Sequence, residues 1–133
     1  MGRKSQIIWL VCKMYRVAVL ITFHNRKEST LQCLKSLYQA VHADAEFSVY
    51  ACDDGSSDGT AEAIRLLFPS VNIIYGDGSL FWNRGMLKVW KEAVQQDYDY
   101  YLWLNDDTVV DVDFWQTQPD GVQGGILNNG FEL

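Results

Sequence analysis

The sequence predicts an α/β fold built on a parallel sheet, and three observations carry that expectation. Four short, largely apolar runs, at 17–23, 47–52, 71–75 and 100–104, have strand length. Stretches with helical spacing of apolar residues lie between them. Three of the four runs stop at polar or charged clusters: His24-Asn25-Arg26, Asp53-Asp54 and Asn105-Asp106-Asp107. Runs this short and continuous suit strands buried on both faces, as in parallel sheets. Strands alternating with helices give crossover units with helices packed over the sheet. Right-handed crossovers would bring the three polar ends to one edge, where open parallel sheets bind their ligands.

Taken in order, Val17-Ala18-Val19-Leu20-Ile21-Thr22-Phe23 is the first strand. The helix after it, about 27–41, presents Leu31, Leu34, Leu37, Tyr38 and Val41 on one face. Phe47-Ser48-Val49-Tyr50-Ala51-Cys52 is the second strand. Behind it, Asp53-Asp54-Gly55-Ser56-Ser57-Asp58-Gly59-Thr60 combines turn and helix-start residues. A short helix, 60–68, ends at Pro69, and Val71-Asn72-Ile73-Ile74-Tyr75 is the third strand. The segment 76–85 reads as a glycine-rich loop that carries Phe81 and Trp82, side chains a merely solvated loop does not need. Phe81 reads as a plug on the sheet edge and Trp82 as a stacking wall. Met86, Val89, Trp90, Ala93 and Val94 then mark a helix.

The last strand, 100–104, leads straight into Asp106 and Asp107. Two ionised carboxylates cannot sit in a dry core without a cation or dense hydrogen bonding. If the strand pleat continues through them, they face different groups, one a divalent metal and the other a sugar hydroxyl; the other reading is that Asn105-Asp106-Asp107-Thr108 is a solvated turn.

One domain is expected from 133 residues, nearly half of them apolar. A net charge of -6 excludes nucleic acid as the main partner. Cys12, Cys33 and Cys52 show no metal spacing and read as reduced, packed thiols. The apolar run Ile7-Ile8-Trp9-Leu10-Val11-Cys12 is far below the roughly 20 residues that span a bilayer, and no cleavage site follows it. The chain therefore reads as cytoplasmic, with residues 1–13 an appendage, 14–115 the ligand-binding domain and 116–133 a loosely ordered tail. It looks like the front half of something larger.

Several chemistries are set aside. A helix–loop–helix calcium loop starting at Asp54 would need glutamate where Arg65 stands. No GxxxxGK[ST] or GxGxxG loop is present, and no nucleophile–histidine constellation stands out. Arg26 and Arg84, each after a strand, are candidates for phosphate, whose oxygens a guanidinium fork matches, or else are solvated.

In this order, the stretches ending in His24-Asn25-Arg26, Asp53-Asp54-Gly55-Ser56, the 76–86 segment and Leu104-Asn105-Asp106-Asp107 resemble a family 2 glycosyltransferase of GT-A fold over about residues 15–115. The resemblance implies transfer of a sugar, with inversion, from a nucleoside diphosphate donor to a hydroxyl of a glycan or lipid-linked acceptor. Work in cell-surface polysaccharide synthesis follows, at a membrane periphery where the acceptor is lipid-linked. It implies that Thr22, Phe23 and Arg26 line the nucleotide pocket and that Asp54 accepts a hydrogen bond from the base. Trp82 and Arg84, in a covering segment, would meet the nucleotide and sugar. Asp107 would hold Mg²⁺ or Mn²⁺, and Asp106 would touch the ribose or share the metal. The general base belongs to a later segment, beyond residue 133, so this chain alone is expected to bind donor but transfer slowly or not at all. A non-catalytic nucleotide-sugar-binding module is the alternative. A nucleotidyltransferase fits less well, since the basic glycine-rich first loop is not seen.

Overall fold

The computed structural model describes residues 15–40 and 45–116. Four strands, β1 (Tyr15–Phe23), β2 (Ala45–Asp54), β3 (Asn72–Gly76) and β4 (Tyr100–Trp103), form one sheet in the order β3-β2-β1-β4. Every pairing is parallel, as the strand–helix alternation predicts. Helices α1 (Lys27–Gln39), α2 (Thr60–Leu67) and α3 (Phe81–Ala93) fill the connections, and a short 3-10 turn covers Phe114–Gln116. No described helix is long and apolar enough to cross a membrane. The expectations for residues 1–13 and, beyond Gln116, for the tail lie outside the described residues.

β1, one of the two inner strands, is apolar from Val17 to Ile21 because both its faces are covered. Val17, Val19, Ile21 and Phe23 point to one side, where Cys33, Leu34 and Leu37 of α1 and Ile64 of α2 meet them. Ala18 and Leu20 point to the other, against Met86, Val89 and Ala93 of α3. Strand residues alternate between faces, so a strand covered on both must be apolar at every position. Burying each large side chain contributes about 1.5–3 kcal/mol, and Leu20, Ile21, Leu34 and Leu102 are all completely buried.

Two elements are longer than the hydrophobic runs suggest. Strand β2 extends to Asp54 because it pairs on both sides to its end, Phe23 opposite Asp53 and Gly76 opposite Asp54. Helix α3 begins at Phe81, so the second half of the expected 76–85 loop is helical. Its first turn lies hard against β1. A Cβ on Gly85 would overlap the Thr22 hydroxyl, so only glycine lets the helix approach this closely.

Substituting Gly85→Ala should therefore lift α3 away from β1 and destabilise the protein by about 1–3 kcal/mol. Denaturant unfolding measures this, and an unchanged midpoint would show that the contact is not tight.

Candidate functional site

The C-terminal ends of β1, β2 and β4 converge on one cavity of about 280 Å³, lined by Thr22, Phe23, His24, Arg26, Asp54, Gly78, Phe81, Trp82 and Asp106. Three polar strand ends do meet at one mouth. How each is held there follows from where the acidic residues spend their hydrogen bonds.

Asp53, Asp54 and Asp58 all bond backbone. Asp53 accepts from the Ser56 amide at 2.8 Å and closes the turn after β2. Asp58 accepts from the amide of Lys27, the first residue of α1, at 3.0 Å, and from the Thr60 amide at 3.1 Å. It thus satisfies the opening amides of α1 and α2 together, where neither helix has a capping bond from its own N-cap side chain. These bonds, the Thr60 hydroxyl foremost, hold its carboxyl below the ordinary carboxylate range.

Asp54 is 3% exposed. Its two oxygens accept from the amides of Gly78 (2.8 Å), Leu80 (3.1 Å) and Phe81 (2.9 Å). Gly55 supports the same junction, since a Cβ there would stand 2.8 Å from the Gly78 nitrogen and its φ is +75°. Phe81 takes φ +56°, a conformation that costs a bulky residue energy and persists only where the surroundings fix it. Asp54, expected to accept from a base, lines the cavity while also accepting from these three loop amides. Phe81 is 73% exposed and rims the cavity, so it does not plug the sheet edge. Trp82 lies edge-on to Trp103 of β4 at 5.7 Å and forms the aromatic wall.

His24 and Asn25 join the first two strand ends. The His24 Nδ1 donates to the Asp54 carbonyl at 2.6 Å, which leaves Nε2 to accept from the Asn25 amide at 3.3 Å. Asn25, at φ +49°, accepts from the Ser57 amide at 2.7 Å and donates its own amide to Ser56 Oγ at 2.9 Å.

The third strand end is tied to α1. Strand β4 stops at Trp103, the Leu104 amide bonds to the Leu20 carbonyl at 2.9 Å, and Asp106 and Asp107 lie in a turn beyond it. Cys33 donates to the Asn105 carbonyl at 3.5 Å, and Ser36 Oγ accepts from the Val110 amide at 2.9 Å. Burial, with the Asp106 charge adding to it, pushes the Cys33 thiol up to about 12. It is a packed thiol, not a nucleophile. Because the pleat has ended, Asp106 and Asp107 do not face apart. Both reach the Arg26 guanidinium, Asp106 at 3.3 Å and Asp107 at 3.6 Å. Partial burial lifts the Asp106 carboxyl above its ordinary range, against the pull of Arg26, and the neighbouring Asp107 adds to the lift.

The sequence of residues 18–120 matches the family described as Glycosyl transferase family 2. The chain belongs to that family. It is 31% identical over 98 residues to the poly-β-1,6-N-acetyl-D-glucosamine synthases of Staphylococcus aureus and Staphylococcus epidermidis. That alignment covers 73% of this chain but 23% of those relatives, so the chain spans under a quarter of their length. Among solved structures it resembles Staphylococcus aureus TarS residues 1–349 in complex with UDP-GlcNAc, with a TM-score of 0.61, 19% identity, and coverage of 73% of this chain and 28% of that one. It also resembles the mannosyltransferase PcManGT from Pyrobaculum calidifontis in complex with GDP-Man and Mn²⁺, with a TM-score of 0.60, 16% identity, and coverage of 81% and 34%. These likenesses show the GT-A fold.

Within this family 2 chain, the cavity brings together Thr22, Phe23, Arg26, Asp54, Trp82 and Asp106 of the residues the sequence singles out. Asp107 stands beside them on Arg26. Arg84 is not among the lining residues; its guanidinium donates to the Ser79 carbonyl at 3.4 Å. His24, Gly78 and Phe81 complete the lining without having been singled out as ligand-binding residues. The visible signal for His24 was its place in a strand-end cluster, and for Gly78 and Phe81 the 76–85 segment itself.

A divalent metal can be held here only in part by protein. Among the described residues no three His, Cys, Asp or Glu side chains gather for one. Mg²⁺ sites of this kind use one or two carboxylates and take remaining ligands from phosphates and water. Asp106 and Asp107 are the carboxylates that could serve such a site, and both lie on one guanidinium.

Asp54→Asn should replace an acceptor by a donor facing three amides, costing about 2–3 kcal/mol. Hydrogen exchange of the Gly78, Leu80 and Phe81 amides should rise well before that of β1 amides. Uniform protection would refute the anchoring role.

Proposed function

We propose that this chain is the donor-binding part of a glycosyltransferase that takes a nucleoside diphosphate sugar and passes its sugar, with inversion, to an acceptor hydroxyl. The observation that carries the proposal is a cavity at the C-terminal edge of a parallel sheet with one guanidinium, two carboxylates and an aromatic wall. A diphosphate needs positive charge, and a base or sugar ring needs a flat apolar surface. Both are within one opening. Family membership and the UDP-GlcNAc and GDP-Man complexes of the two structural relatives support the same ligand class.

In this reading Thr22 and Phe23, at the end of β1, form the floor on which the nucleotide lies. Trp82 offers its ring face to the base or donor sugar. Arg26 takes the diphosphate, and Asp106 and Asp107 hold Mg²⁺ or Mn²⁺. The metal, when bound, offsets negative charge on the departing nucleoside diphosphate. Asp54 works through the backbone: it fixes residues 78–81 as the roof over the ligand. Inversion requires a base on the acceptor side of the sugar. Of the carboxylates lining the cavity, Asp54 is committed to amides and Asp106 is paired with Arg26. Neither is therefore assigned as that base. The acceptor, by the same resemblance, is a growing cell-surface glycan or its lipid-linked form.

Calorimetric titration of the chain with UDP, GDP and dTDP, each with and without Mn²⁺, tests this. At least one nucleotide should bind in a Mn²⁺-dependent manner, and Asp107→Asn should remove the metal dependence while leaving the fold intact. Absence of metal-dependent binding for all three would end the proposal.

A further inference from the structure

Arg26 occupies the place between the two carboxylates that the proposed metal would need. Its Nε lies 3.3 Å from Asp106 and its Nη2 3.6 Å from Asp107. We propose that Arg26 is a resident counter-cation: it offsets part of the charge of Asp106 and Asp107, a divalent metal would have to displace it, and a diphosphate would draw it away. This inference rests on the nucleotide-binding reading above and adds an order to it. Metal alone binds weakly, and metal with nucleotide binds well.

Three features separate a replaceable counter-ion from a structural ion pair. The Arg26 side chain is about half exposed, so its guanidinium can swing into solvent, whereas Asp106 is only 14% exposed and needs another cation in its place when the guanidinium leaves. The contact that competes for it within the protein is slight, a 3.5 Å approach of Nε to Ser29 Oγ. Its backbone, in contrast, is fixed, because the Arg26 carbonyl accepts the Thr30 amide at 2.9 Å and opens α1. A fixed base with a mobile head lets one side chain serve two partners on the same cavity wall.

The backbone that carries the carboxylates is held as well. Cys33 and Ser36 of α1 hold the turn that carries them on both sides. The same helix therefore sets both the root of Arg26 and the position of its partners. When a divalent ion arrives, like-charge repulsion expels the guanidinium, and the oxygen-rich diphosphate, with its two-pronged match to a guanidinium, is the natural place for it. Each ligand then raises the affinity for the other beyond what direct metal–phosphate ligation gives, and the coupling is reciprocal.

The test measures Mn²⁺ binding to the nucleotide-free chain by electron paramagnetic resonance, for the unaltered protein, R26Q, R26K and D107N. R26Q should bind Mn²⁺ about fivefold more tightly than the unaltered protein, the range expected for losing a partly exposed competing ion pair. R26K, which keeps the charge but loses the planar fork of the guanidinium, should fall between them. D107N should weaken binding. UDP should then raise Mn²⁺ affinity by a smaller factor in R26Q than in the unaltered protein. Equal or weaker Mn²⁺ binding by R26Q, or no binding by any form, overturns the counter-cation. A merely structural ion pair would lower stability on substitution and would not raise metal affinity. Because the first comparison contains no nucleotide, failure to bind UDP would sink the donor-site reading while the Mn²⁺ ranking still decides this one. R26K keeps the charge at the start of α1 and provides the ranking if R26Q does not fold.

Discussion

A carboxylate buried at the end of a strand must find donors, and Asp54 finds them in the backbone of residues 78–81. Much of the site depends on that requirement. The three amides fix the path from β3 into α3, hold Phe81 in the left-handed region, and so set where the first turn of α3 begins. That turn brings Gly85 against Thr22 and Trp82 against Trp103, which closes one side of the cavity. Asp53 and Asp58 act in the same manner on the turn after β2 and on the starts of α1 and α2. The acidic cluster at the end of β2 and just beyond it therefore builds scaffold through side chains that bond main chain.

This division changes how the acidic residues of the chain should be counted. Of those near the cavity, only Asp106 and Asp107 have no backbone amide as their chief partner; their partner is an arginine. Their turn is carried on α1 through Cys33 and Ser36, while Arg26 stands at the head of the same helix. One rigid element therefore spaces the positive and negative parts of the site, and the sheet supplies the floor between them.

The sheet and its mouth were legible because hydrophobic burial leaves a local trace. β1 is apolar from Val17 to Ile21 since both its faces are covered there, and α1 and α3 show their buried stripes. Family resemblance added the ligand class, which no periodicity carries. What was not legible depends on partners distant in the chain. Nothing near Asp54 in sequence says that its oxygens meet amides some 24 to 27 residues later. The helical start at Phe81 follows from that bond and from packing on Thr22, against the glycine-rich appearance of the segment. The opposed facing expected of Asp106 and Asp107 assumed that the strand pleat ran through them. It ends at Trp103, and a turn lets both carboxylates approach one guanidinium.

A chain with a net charge of -6 is an unpromising host for a diphosphate. The arrangement of Arg26, Asp106 and Asp107 resolves the difficulty locally. By itself the trio keeps one net negative charge after the guanidinium offsets one of the two acids. A diphosphate alone would add charge of the wrong sign, and a metal alone would have to expel an arginine with nowhere favourable to go. Together, metal and diphosphate pair with the two acids and the arginine respectively, and every charge gains an opposite neighbour. On the proposed reading, the same trio thus disfavours either ligand by itself and favours their joint arrival. This selectivity comes from charge balance among three side chains on one helix and one turn, and it requires no movement of the sheet.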